Sequence, residues 1–123
     1  MELPVATRAQ ILEINDIQEE IIKIPEWKLS LKIRGLTLGQ LMGIYEGSNQ
    51  GGEVNGLRAT IGVFCAGVFE PQFNFVQDYE TLRGKSAVIQ RVSARIMKLS
   101  GADKGALEEA IKNSDPTQDE SLN

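Results

Sequence analysis

Between Glu20 and Leu36 apolar and polar residues alternate: Trp27, Leu29, Leu31 and Ile33 are separated by Lys28, Ser30, Lys32 and Arg34. That period of two is the pattern of a strand with one covered face. Ile22 and Ile24 flank Lys23, and Pro25-Glu26 interrupts the run, so two short strands joined at the proline are expected to form a hairpin. A hairpin alone is marginal in water. Its apolar face, with the only tryptophan, is therefore expected to lie under helices, with Trp27 buried.

Those helices are written in the flanking sequence. Thr7-Arg8-Ala9-Gln10 and Thr37-Leu38-Gly39-Gln40 both have capping-box spacing, and Leu36 and Leu41 around the second are placed as a hydrophobic staple. The first box predicts a short helix to Asn15 with Ile11, Leu12 and Ile14 as its apolar positions. The second predicts a helix whose packed stripe is Leu38, Leu41, Met42 and Tyr45. Gly39, Gly43 and Gly47 recur every four residues in it. They fit either a seam for another protein, or a tight crossing within the chain with Gly47 ending the helix. Ser48 to Gly56 reads as a mobile loop. Leu57, Ile61, Phe64, Cys65 and Val68 keep helical spacing, which predicts a largely buried helix from Arg58 to Ala66, although the β-branched content leaves a strand open. Val68 to Val76 carries three phenylalanines around Pro71 and reads as irregular or extended, its aromatic cluster serving as core or as a partner-binding patch. Asp78 is expected to cap a turn with Tyr79 and Leu82. The longest helix is expected from Lys85 to Leu99, with an inner stripe of Val88, Ile89, Val92, Ile96 and Leu99, stopped by Ser100-Gly101. A last short helix from Asp103 and an acidic C-terminal tail would follow.

The expected fold class is α+β, predominantly α-helical, with one N-terminal β-hairpin packed against about four to five helices. A single α+β domain would span residues 1–113, with a disordered acidic tail over 114–123. At 123 residues such a core needs no disulfide or metal, and the lone Cys65 permits no intrachain disulfide. A net charge of −4 weighs against a general nucleic-acid binder. No apolar run reaches the length of a membrane span, and the first residues lack a signal-peptide pattern. The reading is a soluble protein of a reducing cytosol.

Charge is distributed unevenly. The first 26 residues hold Glu2, Glu13, Asp16, Glu19, Glu20 and Glu26 against Arg8 and Lys23, while Thr81 to Gly101 contains no acidic residue. Arg91, Arg95 and Lys98 share one helical face. They can pair with the acidic N-terminal third of their own chain or with another copy in a stack or ring; DNA binding by this face is a poorer third choice, since it lacks interleaved aromatic residues. Catalytic motifs do not assemble. Gly84-Lys85-Ser86 resembles the end of a P-loop, but Tyr79 stands where the first glycine belongs. There is no histidine, so neither a Cys-His nucleophile nor a familiar metal set can form. Glu19-Glu20 and Glu108-Glu109 are adjacent and point apart in regular structure. No catalytic residue, cofactor or metal ligand is assigned, and the expectation is a protein-binding or assembly protein, not an enzyme.

The segments I-L-E-I-N-D-I, I-I-K-I-P-E-W with L-K-I-R-G-L-T, C-A-G-V-F-E-P-Q-F-N, Y-E-T-L-R-G-K-S and K-L-S-G, in that order, resemble the tail assembly chaperones of long-tailed bacteriophages and prophages. The similarity runs from Ile11 to Asn113. The glycine ladder and the phenylalanines around Pro71 depart from it. The resemblance implies a protein of the host bacterial cytoplasm that binds and solubilises the tape measure protein during virion morphogenesis. It would help recruit the tail tube protein and be absent from the mature virion. It also implies a possible homo-oligomer, or a frameshifted longer form. Neither nucleic acid nor membrane is an expected partner. The alternative is a structural tail completion or connector protein retained in the virion. Arg91, Arg95 and Lys98, with Phe69, Phe73 and Phe75, are the residues expected to meet a protein partner.

Overall fold

The computed structural model describes residues 2–101. Both capping boxes form. Thr7 Oγ1 accepts the Gln10 N–H while Gln10 Oε1 accepts the Thr7 N–H, starting α1 (Arg8–Glu13). Thr37 and Gln40 do the same for α2 (Leu38–Ser48). Between them lie β1 (Glu19–Ile24) and β2 (Leu29–Arg34), paired antiparallel with Ile22 opposite Leu31 and Ile24 opposite Leu29. The turn at Pro25 is closed by Trp27 N–H to Ile24 O and Lys28 N–H to Pro25 O, with Lys28 at φ 55°.

After α2 the chain makes a two-residue-per-strand hairpin, β3 (Asn49–Gln50) and β4 (Glu53–Val54). Gly51 and Gly52 take positive φ at its tip, as such a tight turn requires. Then come α3 (Gly56–Gly67), β5 (Val68–Glu70), α4 (Phe75–Arg83) and α5 (Val88–Leu99). β5 pairs antiparallel with β2, giving the sheet order β1-β2-β5. The fold among the described residues is thus α+β and mostly helical: five helices with a small antiparallel sheet.

The apolar interior joins one sheet face to α3 and α5. Ile24, Leu31, Ile33 and Val68 are buried with Ile61, Phe64, Val92 and Ile96. α3 is the central element, contacting α2, α4, α5 and β5. Two glycines permit its closest approaches: a Cβ on Gly67 would lie 2.5 Å from Ile96, and one on Gly62 would lie 3.0 Å from Ile44. The buried Ser93 hydroxyl donates to Thr60 O, fastening α5 to α3. The hairpin exit and the end of α5 are also joined. Ser100 Oγ accepts the Leu36 N–H at 2.8 Å, and a side chain on Gly35 would collide with the Leu99 carbonyl.

Several expectations need correction. Trp27 sits in the turn and is only half-buried, so the strand alternation begins at Leu29, itself exposed near the turn. Ile11, Leu12, Ile14 and Leu38 are exposed; the first two lie on α1, which contains no buried residue, and Ile14 is its extended C-cap. α2 runs through Gly47 to Ser48, and no neighbour lies within 4 Å of a Cβ on Gly43 or Gly47; the tight crossing is made by Gly62. The stretch after Ser48 is a small hairpin. Phe75 and Val76 are helical because Asn74 caps α4 through the Gln77 N–H. Asp78 instead accepts from the Asn74 N–H. α5 begins at Val88, not Lys85, and equals α3 in length. Gly101 has the positive φ expected of a helix stop. The helix expected from Asp103 and the acidic tail lie outside the described residues.

Candidate functional site: an apolar groove between two helices

The four-residue spacing of Gly43 and Gly47 places both on one side of α2, with Gln40 one turn earlier. Having no side chains, they leave a trough along the helix backbone. The facing wall is α3, whose Arg58, Gly62, Cys65 and Ala66 follow the same helical period. Ile44 closes the floor where it meets Gly62. Phe73, Asn74 and Phe75, the segment entering α4, close one end. The resulting groove holds about 550 Å³, within the range of small-ligand and side-chain pockets.

Its aromatic end is built from ring contacts. The Phe73 ring packs on buried Phe64 at 5.2 Å between centroids, and Phe75 packs on Tyr79 at 5.2 Å. The Arg58 guanidinium lies 5.1 Å from the Phe75 ring centre and 5.5 Å from that of Tyr79, so the cation is held by ring faces. Arg58 is the one charged residue lining the groove, and it forms no ion pair among the described residues. Burial, aided by the negative charge of Asp78, pushes the Cys65 thiol up to about 11. At neutral pH it is therefore a protonated wall residue with little nucleophilic character.

The six residues expected to meet a partner are not brought together. Phe73 and Phe75 line the groove. Phe69 lies on β5 with the Arg34 guanidinium over its ring at 5.5 Å. Arg91 makes a bidentate pair with Glu26 at 2.7 and 2.9 Å. Arg95 grips Glu20 through Nε and Nη2, the shortest contact being 2.5 Å. Two of the three basic residues thus pair with the acidic N-terminal third of their own chain, while Lys98 is exposed and forms no ion pair among the described residues. Glu26 shows the effect of its partner: the hydrogen bonds from Arg91, helped by its own backbone, hold its carboxyl at about 2.

Sequence reasoning missed Arg58, Gly62 and Ala66 as parts of this site. The glycine ladder was a usable signal for one wall, but the other wall shows only when α3 is laid beside α2. Among the described residues no group of three or more histidine, cysteine or acidic side chains could hold a metal ion, and no helix is long and apolar enough to cross a membrane. Comparison with protein-family models, curated proteins and solved structures found no significant match.

Proposed function

We propose that this protein is a bacteriophage tail assembly chaperone that binds and solubilises the tape measure protein in the host cytoplasm, helps recruit tail tube subunits, and leaves before the virion is complete. The observation that carries this reading is the open groove between α2 and α3. A chaperone for a long helical protein must accept apolar side chains from many similar helical stretches, and helix-in-groove docking does this without a deep, selective pocket. The bare backbone at Gly43 and Gly47 lets a helix approach closely. Phe73 and Phe75 supply apolar contact area. One groove of about 550 Å³ takes only a few side chains, so affinity for a long client comes from many copies bound along it. The order of segments resembling tail assembly chaperones supports the same assignment.

The test is co-expression with the tape measure protein of the same phage. The parent chain should keep that protein in the soluble fraction, whereas Gly43→Leu with Gly47→Leu, which fills the trough from an open helix face, should send most of it to the pellet. Equal solubilisation by the filled variant would overturn the role of the groove. Mass spectrometry of purified particles should find the protein absent; its presence would favour a tail completion or connector component.

A further inference from the structure

The groove between α2 and α3 is charged at one end only. Ile44 meets Gly62, and one turn further along α2 the Ser48 carbonyl accepts the Asn55 N–H at 2.7 Å. α2 and α3 therefore run past each other in opposite directions, and Arg58, one turn before Gly62, stands at the Gly47 end of the trough. Its backbone belongs to the first turn of α3, where Asn55 Oδ1 accepts the Arg58 N–H at 3.1 Å. Its guanidinium lies over the Phe75 and Tyr79 rings, which attract the charge but do not accept its N–H groups as a carboxylate does. Among the described residues that guanidinium has neither an ion pair nor a hydrogen bond, whereas Arg91 and Arg95 each grip a glutamate. Glu46 on α2 and Asp78 on α4 do not line the groove, and Asp78 is engaged by the Asn74 N–H.

We infer that Arg58 sets the specificity of the groove, which takes amphipathic helices bearing an aspartate or glutamate one helical turn from an apolar side chain. The inference rests on the groove of the proposed function and names which stretches of a helical client it accepts. Charge complementarity selects the occupant. A guanidinium presents its N–H groups as a planar fork that matches a carboxylate in two parallel hydrogen bonds. Apolar walls on either side keep the screening of such a pair below that on an open surface. Spacing supplies the second condition. Gly62 and Arg58 are four residues apart on α3, about 6 Å along its axis. A helix lying in the trough repeats at the same interval, so an apolar side chain set against Gly43 and Gly62 has a neighbour one turn away that reaches the guanidinium. A lysine at that position would set like charge against Arg58 and be rejected, while a neutral residue would gain apolar contact alone. The acidic residue thus marks the register in which a client helix seats.

The probes are alanine-based helical peptides with two leucines four residues apart and, four residues beyond the second, glutamate, glutamine or lysine. Fluorescence anisotropy at low salt should show the parent chain binding the glutamate peptide about tenfold more tightly than the lysine peptide, with glutamine between, and the gap should shrink as salt rises. Arg58→Glu should reverse that order, which the loss of a merely structural residue would not do. Should Arg58→Glu fail to fold, Arg58→Gln should level the three affinities. Gly43→Leu with Gly47→Leu should bind none of the peptides. Equal affinities in the parent, an order unchanged in the Arg58 variants, binding that survives filling of the trough, or no binding of any peptide would each overturn the inference. A parent that keeps the tape measure protein soluble yet ranks the peptides equally refutes the role of Arg58 and leaves the proposed function standing. A parent that ranks the peptides as expected but leaves the tape measure protein in the pellet counts against the proposed function alone.

Discussion

Glycines in this chain do opposite jobs, and their neighbours separate them. At Gly67 an added methyl would sit 2.5 Å from two carbons of Ile96, which is fully buried and has nowhere to move. Gly67→Ala should therefore lower stability by about 1–3 kcal/mol, the usual cost of overpacking. At Gly43 the same methyl meets nothing within 4 Å in the middle of a helix, where alanine is favoured over glycine by roughly 0.5–1 kcal/mol. Gly43→Ala should stabilise by that amount. Urea unfolding of the two variants beside the parent checks both signs. The ladder of Gly39, Gly43 and Gly47 was visible in the sequence, yet its meaning was not. Spacing says which residues share a helix face, and only the position of α3 says whether that face is filled.

At the scale of elements, legibility followed the range of the chemistry. Both Thr-x-x-Gln boxes were readable because all their hydrogen bonds fall within four residues. The hairpin was readable because its alternation is local. The start of α4 was hidden by the aromatic run after Pro71, although Asn74 with Gln77 three residues on was a usable signal. β5 is three residues long, too short for periodicity to mark. Charge asymmetry made pairing of Arg91 and Arg95 with the acidic N-terminal third one of two readings, but the individual ties between the hairpin and α5 were out of reach, since Arg91 and Glu26 lie 65 positions apart and Arg95 and Glu20 lie 75 apart. Those ties make the hairpin's attachment pH-dependent. Glu26 titrates at about 2 in the folded protein against 4.5 for a free side chain. Its stabilising contribution is therefore complete above about pH 4.5 and disappears as pH falls towards 2. Both partners are half exposed, so the effect is modest and salt-sensitive. Urea midpoints of the parent and Glu26→Gln should differ near pH 6 and converge near pH 2.

For the whole molecule, the sequence supplied the α+β class and the dominance of helices, because helix caps and strand alternation are both local signals. It did not supply the central place of α3, and it left open whether Arg91 and Arg95 pair within the chain, as they do, or with another copy. The groove lined by α2, α3 and the entry to α4 is a tertiary object. No single stretch of the chain announces it.

The position of Cys65 also gives the protein a native reporter. It is the only cysteine in the chain, stands in the groove wall, is partly accessible, and has its thiol pushed up to about 11. Maleimide labelling at neutral pH should therefore proceed slowly and at one site. Anything that fills the groove, such as a client helix, should slow it further by at least several-fold. Labelling rates of the unaltered protein, alone and then with the tape measure protein, would read occupancy directly. Unchanged rates in a demonstrated complex would place the contact elsewhere.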